Sequence, residues 1–291
     1  MANGEPTHLH KEEAWDLVVA SKKKLFDVNL KDIWDYRYLI AMFVRRDFVS
    51  LYKQTILGPL WLLIQPLLTT IIFLFIFSNI AHISTDGIHG TLFYLSGLTV
   101  WNYFATCLNK TAGTFTNNSN LFGKVYFPRL TLPISIIISG MFTFFIQFVL
   151  FILVLIYFIL FKQQAFTFSP YLLLIPYLVV LMGFLGLGLG IIISSLTIKY
   201  RDLSYLITFG VQLLMFFSPV IIPLSIVSGT KKILFELNPM SSIIESFRYA
   251  FFPVGNFNWS LLLYTSAFVL AVLVAGILIF NRTERNFTDT V

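Results

Sequence analysis

The sequence predicts an all-α polytopic membrane protein. It has six transmembrane helices, a cytoplasmic interfacial amphipathic helix at the N-terminal side, and short re-entrant helices before the last span. Three observations predict this. Of 291 residues, 57% are hydrophobic and only 12% charged, and the mean hydropathy is +0.81. Soluble domains average about 45–50% apolar and about 25% charged residues, so this chain cannot clothe a water-facing surface of its size. Six stretches reach the roughly 20 apolar residues that a helix needs to cross about 30 Å of hydrocarbon. Basic residues collect in alternate connections, as the positive-inside bias requires.

Residues 1–30 read as a cytoplasmic tail without regular structure. Lys22, Lys23 and Lys24 stand in a row, with no apolar core and small-residue cleavage site of a signal peptide. His8, His10, Glu12 and Glu13 read as part of that solvated tail rather than a metal site. Residues 31–54 form the amphipathic helix. Asp35, Arg46 and Lys53, spaced by 11 and 7, share one side, while Ile33, Ile40, Val44 and Leu51 gather on the other. Trp34, Tyr36, Tyr38, Phe48 and Tyr52 suit the headgroup layer.

Residues 55–291 hold the spans, at about 55–80, 91–112, 132–161, 170–197, 203–222 and 258–280. Pro59 and Pro66 loosen or kink the first. The third, about 30 residues, must tilt or project beyond the hydrocarbon. Nine Lys/Arg precede the first span, and Lys124, Arg129, Lys199, Arg201, Arg282 and Arg285 follow on the same side. Both termini are therefore placed in the cytoplasm, with the chain in the cytoplasmic (inner) membrane. Residues 223–257 break the charge rule, with Lys231, Lys232 and Arg248 on the outside. Their apolar pieces, parted by Gly229, Pro239 and Pro253, are too short to span. They read as two short helices folded back toward a central pathway, or as a plain amphipathic loop.

Several function classes are excluded. The net charge of +6 is segregated by membrane side, so it does not point to nucleic acid. Cys107 has no partner for a disulfide within the chain. No Walker A motif is present: Gly123-Lys124 is followed by Val125. Gly183, Gly186, Gly188 and Gly190 lie in an apolar run and read as a helix-packing stripe. The spans hold almost no ionisable group beyond Lys110, so neither a proton relay nor a hydrolytic acid–base pair is available. The chain reads as a conduit that borrows its energy.

Four stretches carry a family resemblance: RRDFVSLYKQTILGPLWLLIQPL (45–67), NNSNLFGKVYFPRLTLPIS (117–135), IKYRDLSYL (198–206) and LNPMSSIIESFRYAFF (237–252). In order and in membrane side they resemble type-2 ABC exporter permeases. The tail FNRTERNFTDTV (280–291) is similar to the branch that exports O-antigen, capsule and teichoic acid chains. The resemblance covers roughly residues 31–291. It implies a homodimer carrying two cytoplasmic ATPase subunits. No cofactor is implied in this chain, with ATP and Mg²⁺ in the partner. The cargo would be an undecaprenyl-diphosphate-linked glycan.

Residues 117–126 would then be the coupling helix, capped by Asn117-Asn118-Ser119-Asn120 and ended by Pro128. Asn120, Lys124 and Tyr126 are its candidate ATPase contacts, with Arg201 and Asp202 as a second, smaller contact or a local ion pair. Arg37, Arg45, Arg46 and Lys53 could receive the diphosphate as charge-assisted donors, or simply hold anionic membrane lipids. Trp61, Phe73, Phe77, Phe216, Phe217 and Tyr249 are candidate rings of the polymer path, or rings facing lipid and other helices. The expected function is export of a lipid-linked polysaccharide such as O-antigen. The alternatives are a type-2 permease for a small molecule or drug, and a membrane-embedded glycan- or lipid-modifying enzyme.

Overall fold

The computed structural model describes residues 30–53, 55–118, 121, 127–162, 164, 168–197, 200, 202–255 and 257–287. Among these the regular elements are all helices, with no strand. Four helices are long and apolar enough to cross a membrane: Gly58–Ile80, Thr131–Lys162, Pro170–Thr197 and Trp259–Arg282. The chain is therefore a multi-pass membrane protein.

The amphipathic segment is two helices rather than one, α1 (Leu30–Asp35) and α2 (Arg37–Tyr52), because Tyr36 leaves helical geometry at φ −88°, ψ 16°. Arg37 Nη1 donates to the Trp34 carbonyl at 3.1 Å, meeting an acceptor that the broken helix leaves over. Helix α2 packs on the long helix α6 (Thr131–Lys162). Its anchor is Phe43, buried against Phe127 at 5.8 Å and grouped with Leu132.

Helix α3 (Trp61–Phe73) is entered through a 3-10 turn at Gly58–Leu60 and continues as a π-helix over Leu74–Ile80. Pro59 starts the turn, where its missing N–H is no loss; Pro66 lies inside the helix. Only 11% of this span is buried, against 50% of Pro170–Thr197, so α3 stands at the edge of the bundle.

Helix α4 (Gly90–Ala112) is the opposite case. It is long enough to span, yet Asn102, Asn109, its tyrosines and its threonines keep it outside the apolar set. Nearly all of it is buried, and its main neighbours are α6 and α7 (Ile175–Thr197, led by a 3-10 turn at Pro170–Leu174). A helix wrapped by other helices needs no lipid-compatible surface. Helix α5 (Thr114–Asn117) follows it directly.

Glycines set the close contacts of α7. A Cβ at Gly190 would come within 2.5 Å of Thr111 on α4. On the other face, a Cβ at Gly276 of helix α11 (Trp259–Phe287) would meet the Gly188 carbonyl at 2.8 Å. The stripe read from the sequence is thus a two-sided seam between three helices.

The segment expected to span at 203–222 differs. Helix α8 (Leu203–Phe216) has 14 residues, about 21 Å at 1.5 Å per residue, and the chain then turns through Pro219 and Pro223. Only Val211 of α8 is buried. Two short helices follow, α9 (Thr230–Leu237) and α10 (Pro239–Phe251). Helix α10 is deeply buried, against α4, α7, α11 and the 3-10 turn before α7. The bundle thus has a basal end, carrying α2 and α5, and a distal end, carrying residues 81–89 and α10.

Candidate functional site

At the basal end, the terminal turns of α4 and α7 are tied together. Thr197 Oγ1 donates to the Ala112 carbonyl at 3.3 Å, and the Phe115 N–H donates to Ser194 Oγ at 3.4 Å. Phe115 also stacks on Phe280 of α11 at 5.0 Å. These contacts join the ends of three helices, α4, α7 and α11. The expected coupling residues Asn120, Lys124, Tyr126 and Arg201 lie outside the described residues, as do most of 117–126 and the tail 1–29. Asp202 is described: it stands exposed at the start of α8, with no side-chain bond to the helix N–H groups.

The four cations of the amphipathic segment are exposed but not gathered into one cluster. Arg46 and Lys53, seven residues apart, share a face, whereas Arg37 and Arg45 lie about 80° apart around the helix. Arg46 is engaged with Asp47 through Nε at 3.0 Å and Nη2 at 2.9 Å, and covers the Phe43 ring at 5.0 Å. The Arg37 guanidinium lies over Tyr38 at 4.6 Å and Trp34 at 5.6 Å. These contacts leave cation and ring side by side, as suits an interface between headgroups and hydrocarbon.

The six candidate rings divide in two. Trp61, Phe216 and Phe217 are each more than half exposed. Phe73 and Phe77 meet edge-on at 5.4 Å and both pack toward Tyr94. Tyr249 belongs to a distal cluster, 5.0 Å from Tyr171 and 5.3 Å from Phe257, which Trp259 extends. No single surface unites the six. Trp61 is basal on α3, and Phe217 is distal, just past the end of α8.

Sequence reasoning placed Arg248 on the outer side, in a segment read as two folded-back short helices or a plain loop; the structure buries it, 2% exposed, in the bundle. Its guanidinium donates to the carbonyls of Phe93 (3.2 Å), Val220 (3.1 Å) and Pro219, and to Ser96 Oγ (3.4 Å). It also lies 3.6 Å from the centre of the Phe93 ring and pairs with Glu245 at 3.7 Å. A Cβ at Gly97 would come within 2.6 Å of Nη2, so the glycine makes room for it. The one sequence signal was the i,i+3 spacing of Glu245 and Arg248 in an otherwise uncharged helix.

Around Arg248, side chains hold the non-helical chain after α8. Asn238 Nδ2 donates to the Phe217 carbonyl at 3.0 Å and to Ser218 Oγ at 2.9 Å. The Leu224 N–H donates to Glu245 Oε1 at 3.3 Å, and Ser225 donates to Asp86 at 2.6 Å. Irregular backbone within a bundle persists only where protein satisfies it, and the side chains of Asn238, Glu245 and Arg248 do so here. At the same end, His89 caps α4 by accepting the Thr91 N–H at 3.3 Å, and its ring lies 4.3 Å from Phe158. Burial, and then the charge of Lys162, hold its pKa below the ordinary 6.5.

Among the described residues no group of His, Cys, Asp and Glu could hold a metal ion. A cavity lies elsewhere. It is a slot of about 430 Å³ between α4, α7, α8, α9, α10 and α11, lined almost wholly by apolar side chains.

Comparison with known proteins gives this architecture a lineage. Over 263 residues the chain is 27% identical to an O-antigen export system permease protein, RfbA, of Klebsiella pneumoniae, covering 90% of this chain and 96% of that one. RfbA of Myxococcus xanthus is 24% identical over 266 residues, at 90% and 98% coverage. The polysialic acid transport protein KpsM of Escherichia coli is 24% identical over 244 residues, at 84% and 92%. The family model described as ABC-2 type transporter matches residues 38–252, from the first turn of α2 to the end of α10. The chain belongs to the ABC-2 type transporter family, as a membrane-spanning permease.

Proposed function

We propose that this chain is the transmembrane subunit of an ABC exporter that carries a lipid-linked polysaccharide, such as an O-antigen, across the cytoplasmic membrane. The observation that carries the reading is end-to-end similarity, at 84–90% of this chain, to permeases named for O-antigen export and polysialic acid transport. The energy comes from ATP and Mg²⁺ bound by a separate ATPase subunit in two copies, and two copies of this chain enclose the path.

In this reading α4, and α8 together with the chain that follows it to residue 222, complete six spans, with both termini in the cytoplasm. The basal end faces the ATPase through Asn120, Lys124 and Tyr126, with Arg201 and Asp202 beside them. The exposed cations Arg37, Arg45 and Lys53 meet the diphosphate at the inner headgroup layer; Arg46 joins them once it parts from Asp47. Trp61 and Phe216 offer ring faces to the sliding sugar chain, whereas Phe217 lines an apolar slot beside α9, and α10 with Tyr249 lies at the distal mouth. Support for a borrowed drive is the near absence of ionisable groups in the apolar spans.

The test is deletion of the gene, with analysis of surface glycan and of the lipid-linked pool. Loss of surface polymer, with lipid-linked chains accumulating inside, is the expected outcome. An unchanged glycan profile would overturn the polysaccharide reading and leave a small-molecule permease.

A further inference from the structure

The slot of about 430 Å³ is unlike the seams that hold the bundle together. Its floor is the fully buried Phe104, Leu185 and Met240, while its rim is Phe217, Leu234 and Leu237, each more than half exposed. The volume falls in the range of ligand sites, about 300–1,000 Å³. Two of its walls, α7 and α11, are membrane-spanning helices, so the slot lies within the apolar part of the bundle.

Its chemistry is selective. The polar side chain on the lining is Asn238, and its amide is already spent. Nδ2 donates to Phe217 and Ser218, and Oδ1 accepts from the Met240 N–H at 3.0 Å. No donor remains for a sugar hydroxyl or a diphosphate oxygen, and burying either unpaired is unfavourable. The occupant must be hydrocarbon.

A second observation says what the hydrocarbon is attached to. On α9, Lys231 and Leu234 follow i, i+3 spacing and so share one face, and Asn238 follows the helix's last residue in extended geometry. Leu234 and Asn238 line the slot; Lys231 lies one turn nearer the exposed tip at Gly229. Lys232 is instead paired with Glu236 at 3.8 Å. An exposed cation one turn above an apolar slot matches an anionic phosphate joined to an acyl chain.

We propose that the slot holds one acyl chain of a membrane glycerophospholipid, with its phosphate at Lys231. The lipid fills the space behind α8, a helix with one buried residue, and so props it against the bundle. Lys231 stands outside the positive-inside pattern because it serves a headgroup.

The test uses the full chain in phosphatidylglycerol nanodiscs, extracted with a delipidating wash and weighed by native mass spectrometry. Wild type is expected to keep about one phospholipid per chain. The slot-filling double variant Leu214→Trp/Leu234→Trp should lower that occupancy at least about tenfold. Lys231→Gln should lower it about fivefold, the effect of one cation near a charged headgroup. Absence of retained lipid in wild type, or unchanged occupancy in both variants, would overturn the proposal. In the otherwise unaltered chain, a benzoylphenylalanine photoprobe at Leu237 should label phospholipid. Labelling of a second copy instead would also overturn it, making the slot a subunit seam. None of these readouts depends on what the protein exports.

Discussion

Arg248 bears more of the distal structure than any other single side chain. Removing a buried charge's hydrogen-bonding head takes the donor from the carbonyls of Pro219 and Val220, leaves the Phe93 carbonyl to Ser96 Oγ, and strands Glu245. Breaking such a pair costs about 3–5 kcal/mol. Arg248→Met is therefore expected to lower the thermal midpoint of the purified protein sharply, read by scanning fluorimetry. Arg248→Lys should rescue little, because an ammonium cannot reproduce the planar fork that serves two chain segments at once. His89 gives a milder, pH-dependent effect. Its native pKa lies below 6.5, so the stability it contributes is full above pH about 6.5. It is lost as pH falls from there through the depressed native value. His89→Asn keeps a capping side chain and should flatten the dependence of the midpoint between pH 7.5 and 5.5.

Among the elements, α7 is read best as a wall with two faces. Replacing Gly190 by leucine would drive side chain into Thr111, and replacing Gly276 would push α11 off Gly188. Neither contact can shift cheaply, because the near atoms are backbone or the stem of a β-branched residue. Cys107 reports the outcome. It is fully buried in wild type, so a maleimide should leave it unmodified in the folded protein. Gly190→Leu is expected to make it reactive under native conditions, measured by mass shift. The stripe was legible from the sequence because four small residues in an apolar run have few other uses. Its second face was not, because that depends on where α11 arrives. The amphipathic segment was legible by its periodicity, but the break at Tyr36 was not, since neither glycine nor proline marks it.

At the scale of the whole molecule, a basal end built of shared helix termini faces a distal end held by side chains on irregular backbone. The proposed six-span topology puts residues 81–89 and the approach to α9 on the same, outer side. Cysteines placed singly at Ser84 and Ser228, both exposed, should label from outside intact cells, and a cysteine at Arg282 should label only after permeabilisation. Labelling of either distal position only from inside would reverse the orientation.

Composition alone determined that the chain lives in a membrane, because half the usual charge cannot cover a soluble surface. Hydrophobic length located most of the helices, and motif order pointed to the family. Only the tertiary structure decided which helices face protein and which face lipid. The polar α4 sits at the centre while the apolar α3 stands at the edge, an inversion that hydropathy cannot express. Only packing decided that Arg248 is an interior pin, because its partners are carbonyls 28 to 155 residues away in the chain. A sequence displays side chains in order. Backbone acceptors become a site only when folding leaves them unpaired in one place.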